Sequence, residues 1–291
     1  MKKILITGAD SYIGTSFEKY IKEYYPDGYT ADTVDMLDGT WRNMSFAGYD
    51  CVFHVAGIAH SDSKKISPEK EKLYRSVNTD LAVETAIKAK SDGVKQFIFM
   101  SSVIVYGNSA PLGKTKVVTK DTPLSPANCY GDSKLQAENG IRPLSDANYK
   151  VVILRPPMIY GKGSKGNYPT LAKLAQKLPV FPKVNNCRSM LYIENLCEFV
   201  RLMIENGECG TFYPQNAEYS NTTQLVKLIS EVHGRKIRFT KAFNFGLYLL
   251  RPFVSLVDKA FGSLAYDKEL SKYKTDYTKC NLIDSVKRTE E

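Results

Sequence analysis

The chain has 291 residues, 43% of them hydrophobic, with 40 Lys and Arg against 31 Asp and Glu for a net charge of +9. That length buries a substantial core as one large or two unequal domains, and nothing in it is repetitive or disordered in composition. No uninterrupted apolar stretch reaches the roughly 18–20 residues of a membrane span. The lysines are spread without an aromatic-interleaved basic stripe, which argues against nucleic acid, and the six cysteines and three histidines show no metal or redox spacing, so no metal is expected.

Lys2 to Thr7 (KKILIT) reads as a short apolar strand, cut off by Gly8-Ala9-Asp10 too soon for a secretory segment, and a cytoplasmic protein is expected. Gly8-Ala9-Asp10-Ser11-Tyr12-Ile13-Gly14 then opens a helical stretch from Thr15 to Tyr25. Such a strand, glycine turn and helix N-terminus lets backbone N–H groups and the helix dipole meet a pyrophosphate. Only about forty residues separate Gly14 from His54, room for one strand, and the segment Tyr29–Asp38 supplies it.

Further on, Ser101-Ser102 ends an apolar run, and Tyr130-Gly131-Asp132-Ser133-Lys134 follows. A tyrosine and a lysine four apart share one helix face. The ammonium of Lys134 beside the phenol of Tyr130 favours phenolate, drawing a reference pKa of about 10 toward the range of a general base. With Ser102 bonding the same substrate oxygen, the three groups suit moving a proton on and off a carbinol oxygen while a hydride leaves or arrives at its carbon. His54 reads as a satisfied, partly buried residue, and Cys129, beside Tyr130, as packing.

TGADSYIG, VFHVAGIAH at 52–60, FIFMSSVIVYG at 97–107, YGDSK at 130–134 and LRPPMIYGKG at 154–163 stand in order. Together they resemble the extended short-chain dehydrogenase/reductases, specifically the NAD-dependent epimerase/dehydratase family of nucleotide-sugar enzymes. The resemblance implies a Rossmann, doubly wound parallel α/β sheet over 1–157 and a small C-terminal substrate-binding lobe over 158–291, with some segments of the latter returning to the first domain. It makes Tyr130 the acid/base, Lys134 its electrostatic partner and ribose ligand, and Ser102 a second bond to the sugar oxygen. Gly8, Asp10, Ser11, Tyr12, Ile13 and Gly14 would hold the pyrophosphate. Val55, Ala56 and Gly57 would run under the cofactor, Asn78 would brace them, and Ser101 and Pro157 would line the same site.

If Tyr29–Asp38 is the family's second strand, Asp35 bonds the adenosine ribose and selects NAD. If it is the third, Asp35-Met36 flanks the adenine and the ribose carboxylate is missing. NAD is favoured, with NADP open, because no arginine follows before Arg42.

The resemblance also implies substrate contacts from Ser102, Met158, Asn167, Tyr168, Phe181 and Arg188, the last on a sugar diphosphate, and a homodimer through the helix bearing Tyr130. Core packing for Phe181, a helix cap for Asn167 and an ion pair for Arg188 are the competing structural roles. The chain departs from the family in having Ser11 for the middle glycine, read as an N-cap, Met158 for an asparagine, and an acidic partner shifted to Glu194-Asn195. Val103-Ile104 after Ser102 replaces the acidic pair a sugar 4,6-dehydratase needs. What remains is 4-epimerisation of a UDP-hexose through a 4-keto intermediate, reduction of a 4-keto UDP-deoxysugar in polysaccharide synthesis, or a non-catalytic dinucleotide-binding regulator. The intact Ser102, Tyr130 and Lys134 argue against the regulator. The apolar run Phe243–Gly262 is read as helix packing over the lobe or a dimer contact, with contact to a membrane surface as the alternative.

Overall fold

The computed structural model of the protein describes residues 1–58, 67–250 and 255–291. Ala59 and His60 of the second motif, and 251–254 of the late apolar run, lie outside the described residues.

Near-continuous apolar runs mark strands covered on both faces. Three of them are buried end to end, β3 (Cys51–His54), β4 (Gln96–Met100) and, after its first residue, β5 (Lys150–Leu154), while β1 (Lys2–Thr7) is buried from Ile4 onward. β2 (Tyr29–Val34) and β6 (Gly210–Phe212) are the more exposed edges. The sheet order is β6-β5-β4-β3-β1-β2, and all five pairings are parallel. This is the doubly wound α/β arrangement expected from the sequence.

β2 pairs with β1 in register from Lys2 opposite Tyr29 to Thr7 opposite Val34, on the side away from β3. It is therefore the strand next to β1, the second in the family's order, and Asp35 follows its last residue. Where a further strand would extend the edge, the chain turns back instead. Met36, Trp41 and Phe46 enter the same hydrophobic cluster as Leu5, Val52 and Phe97, and Trp41 and Phe46 stack at 6.4 Å.

Helix α1 (Tyr12–Tyr24) starts three residues before the expected Thr15. α2 (Pro68–Tyr74) runs through a π-helical turn, Arg75–Asp80, into α3 (Leu81–Ser91). α4 (Cys129–Ile141), capped by Asn128 through a bond from the Gly131 N–H, carries the Tyr130–Lys134 pair.

The contacts divide the chain into one unit of 1–107, 123–156 and 196–214 and a second of 108–122, 157–195 and 215–291. A boundary at 157/158 misplaces 108–122. Val117-Val118 pairs with Ala265-Tyr266 and Ala110 bridges Ser263, so backbone bonds tie this segment to the second unit.

Within the second unit, strand Met158–Tyr160 pairs with Met190–Tyr192, and Val180–Pro182 with Arg238–Thr240. Asn195 is buried and pins the chain, accepting from the Lys279 and Cys280 N–H groups and donating to Asn216 Oδ1. The late apolar run divides, with Val257 and Phe261 buried as packing over the lobe requires and the helix before them exposed. On helix Asn244–Leu250 and the residue before it, Phe243, Phe245, Tyr248 and Leu249 are 51%, 74%, 49% and 59% exposed. No helix among the described residues is long and apolar enough to cross a membrane.

Candidate active site

The site grows from the C-terminal ends of β1, β3 and β4, all in the first unit. After β1 the backbone turns at Gly8, whose φ of +90° is a left-handed value, and a Cβ there would lie 2.9 Å from Ala56 Cα. A side chain at Gly14 would meet Ser11 Oγ at 2.6 Å and Ile6 at 3.0 Å. Both glycines thus hold the turn tight against the strand ends. Asp10 is the one described non-glycine residue with positive φ, +62°, a conformation Asp tolerates better than most.

Ser11 caps α1, its Oγ accepting from the Gly14 N–H at 3.1 Å, as the substitution for glycine suggested. Tyr12 and Ile13 head the helix, where backbone N–H groups lack intrahelical partners. The Tyr12 hydroxyl is buried, and burial raises its pKa, so what this residue offers the turn is its backbone. Gly8 and Ala9 both donate to the Val34 carbonyl, which sets the turn beside the end of β2. There Asp35 is exposed and accepts from the Leu37 N–H at 3.0 Å, while Met36 is buried.

From β3 the chain passes Val55, Ala56 and Gly57. Asn78, fully buried on the π-helical turn, accepts from the Ile58 N–H at 2.8 Å and donates to the Ile58 carbonyl at 3.0 Å and to Ser133 Oγ at 3.1 Å. π-helical turns concentrate at functional sites. This one ties the segment after β3 to α4, and Thr79 adds a bond to the Ser133 carbonyl. A Cβ on Gly57 would lie 2.9 Å from Asn78 Oδ1 and 3.3 Å from Lys134 Nζ, so the cofactor-side segment and the catalytic lysine are neighbours.

Lys134 is buried, donates to the Met100 carbonyl at 2.9 Å and lies 4.8 Å over the Phe99 ring. Burial pushes its pKa down to about 8, against the pull of Glu138. Burial likewise pushes the Tyr130 phenol up to about 12, a hydrogen bond with Ser102 opposing and Tyr74 adding to the rise. The expected lowering of Tyr130 by Lys134 is absent. The lysine's ammonium points to Met100, and burial dominates at the tyrosine.

His54 is completely buried rather than partly so. Nδ1 shares a hydrogen bond of 2.8 Å with Thr7 Oγ1, Nε2 has no partner among the described residues, and the ring stacks on Phe97 and Phe99. Burial, helped by the Lys134 charge, pushes its pKa down to about 3. The unfolded residue titrates near 6.5, so below that pH the unfolded chain binds a proton that the folded chain refuses. Stability present above pH 6.5 is therefore lost as pH falls toward 3, by about 1.4 kcal/mol per unit. Urea unfolding at pH 7, 6 and 5 is expected to show this slope, and His54→Phe to flatten it.

The sequence reading missed the support beneath α4. Glu138, eight residues after Tyr130 on the same face, is fully buried and pairs with Arg155, which also donates to the Tyr106 hydroxyl at 2.7 Å. Ser101 is buried and donates to Glu138 Oε1, so its side chain serves this network. Tyr74, whose ring centroid is 6.3 Å from that of Tyr130, was also missed. The signals were present as a glutamate one turn beyond Lys134 and an arginine after a buried strand.

In the second unit, Pro157 is buried ahead of the strand that carries Met158. Asn167 is the first residue of helix Asn167–Lys177, and the cap position is Gly166, so the cap role fails for it. Tyr168, 2% exposed, stacks on Tyr160 at 5.2 Å, and Phe181, equally buried, packs on Phe239 and Phe261, so both belong to the core. Arg188 makes no ion pair among the described residues. Its Nη1 donates to the Lys259 and Ala260 carbonyls at the end of helix Ser255–Phe261. Glu194 pairs with Arg288.

A parallel sheet with a glycine turn after β1 and a Ser/Tyr/Lys set at the end of β4 and on α4 defines a Rossmann-type enzyme of the dehydrogenase/reductase kind. The chain belongs to the NAD dependent epimerase/dehydratase family, whose model matches residues 4–213. It is 32% identical over 247 residues to a UDP-glucose 4-epimerase of Vibrio cholerae, covering 78% of this chain and 74% of that protein. It is 29% identical over 254 residues, 80% of this chain and 73% of the relative, to an N-acetyl-alpha-D-glucosaminyl-diphospho-ditrans,octacis-undecaprenol 4-epimerase of Escherichia coli O157:H7. In fold it resembles a UDP-glucuronic acid 4-epimerase of Bacillus cereus in complex with NAD, with a TM-score of 0.72 and 17% identity over 99% of this chain and 97% of that one. A dTDP-4-dehydrorhamnose reductase of Clostridium acetobutylicum gives a TM-score of 0.75 at 18% identity, over 99% and 98% of the two chains. The protein is an enzyme of that family.

Proposed function

We propose that the protein is an NAD-dependent 4-epimerase of a UDP-hexose. The observation that carries the proposal is the meeting of Gly57, Asn78 and Lys134 at one strand end, which sets a dinucleotide cradle against the helix bearing Tyr130.

The cradle fits the cofactor. Gly8 and Gly14 keep the turn free of side chains, Tyr12 and Ile13 offer backbone N–H groups, and Asp35 at the end of β2 suits a ribose diol. Arg42 is held by Glu84 through two N–H bonds, which disfavours a 2′-phosphate site and hence NADP. When bound, NAD would supply reversible hydride acceptance at the sugar's C4.

The chain's own part is the proton. Tyr130 accepts it from the C4 hydroxyl as the 4-keto sugar forms and returns it once the other face has been presented, while Ser102 bonds the same oxygen. Lys134, charged below its pKa of about 8 and next to Gly57, is proposed to bond the cofactor's ribose and so fix it beside Tyr130. The residues after Ser102, Val103 and Ile104, open a 3-10 turn and bring no carboxylate for eliminating water. Arg188 and Asn167 are proposed to hold the sugar diphosphate, and assembly as a homodimer through α4 is part of the same proposal. The second relative supports a variant in which the sugar diphosphate is carried on a polyprenol.

The test is release of nucleotide by denaturation, followed by turnover of UDP-glucose, UDP-galactose, their N-acetyl forms and a polyprenyl-diphospho-N-acetylhexosamine without added cofactor. Bound NAD with interconversion of a C4 pair is expected. An empty protein that acts only on a 4-keto sugar with added NAD(P)H makes it a reductase.

A further inference from the structure

We propose that the second unit carries a docking face for the surface of an anionic lipid bilayer, centred on helix Asn244–Leu250. Phe243, Phe245, Tyr248 and Leu249 are about half exposed or more, a concentration of large apolar side chains that a soluble surface rarely leaves in one place. The surroundings of the helix decide what covers it.

Asn244 Nδ2 donates to the Lys183 carbonyl at 3.0 Å, the Lys183 N–H donates to the Thr240 carbonyl, and the Tyr248 hydroxyl sits against Gly113. Three chain segments distant in sequence thus meet at the helix. Residues 108–120 contain three Lys or Arg, 177–188 three and 235–250 four, and none of the three segments contains an Asp or Glu. Lys114, Lys183, Arg238 and Lys241 are exposed. Asp258, the acid in the following helix, accepts from the Leu112 N–H. Lysines that look evenly spread along the sequence are therefore gathered by the fold around an apolar centre. Aromatic and aliphatic side chains entering the acyl boundary, ringed by cations facing anionic headgroups, is the chemistry of an interfacial helix. A second copy of this chain would set cation against cation.

Flotation of the intact protein with phosphatidylcholine vesicles, with and without phosphatidylglycerol, tests this. Binding is expected to the anionic vesicles, weakened by salt, and little to phosphatidylcholine alone. Lys183→Gln and Lys241→Gln should each weaken it about five-fold, and Phe245→Ser at least about ten-fold. Each variant should keep the wild-type circular dichroism, and its nucleotide-sugar turnover without vesicles should be unchanged. Protein that stays wholly unbound overturns the proposal. So does a concentration-dependent dimer in sedimentation that Phe245→Ser dissolves, since a second copy would then cover the face. Neither result bears on the 4-epimerase assignment, which is read without vesicles.

Discussion

Tyr130→Phe is expected to lower kcat by about 10²–10⁴-fold, the range for losing one general acid/base, while fold and nucleotide content stay as in the wild type. The substitution removes one oxygen. It breaks the bond with Ser102 and leaves the ring beside Tyr74 in place. Gly8, Gly14, Gly57 and Asn78 owe nothing to the phenol, so the cradle is kept. With the phenol held up to about 12, it is protonated at neutral pH, and the fraction able to act as base rises tenfold for each pH unit over that range. Wild-type kcat in the direction of alcohol oxidation should therefore climb from pH 6 to 8, and the residual rate of Tyr130→Phe should not. Turnover unchanged by the substitution would remove the tyrosine from the mechanism and with it the proposed function.

Much of this site was legible because its spacing is local. Tyr130 and Lys134 lie one turn apart on a helix, and the Gly8–Gly14 turn follows its strand directly, so periodicity alone placed them. Asp35 was ambiguous because one strand stood where two were expected. Only the pairing of Tyr29–Val34 with the outer side of β1 shows which strand precedes it. What local pattern cannot show is pairing across long separations. Residues 108–122 belong with Ala265-Tyr266 through strand pairing, which two-residue strands do not announce. Tyr168 and Phe181 matched family positions, yet their rings are core, because an aromatic residue has the same sequence signature whether it faces a ligand or a neighbouring ring.

Glu138→Ala should destabilise the protein by about 3–5 kcal/mol, since it leaves the Arg155 charge buried without its partner. Glu138 accepts from Ser101 on one oxygen and from Arg155 on both, and Arg142 reaches it at 3.4 Å, so three elements lose their common anchor. It also carries a catalytic consequence. Glu138 is the charge that raises the Lys134 pKa against burial, and without it that pKa falls below its present value of about 8. The ammonium is then lost at lower pH, and the alkaline limb of the kcat profile should move down. The paired replacement Glu138→Leu with Arg155→Met separates the two effects. Removing both charges restores much of the stability, yet Lys134 stays without its carboxylate, so melting recovers while the shifted pH profile remains. A double variant that recovers both would make Glu138 a purely structural anchor, and one that recovers neither would mean that Ser101 and Tyr106, rather than the ion pair, hold α4 against the sheet.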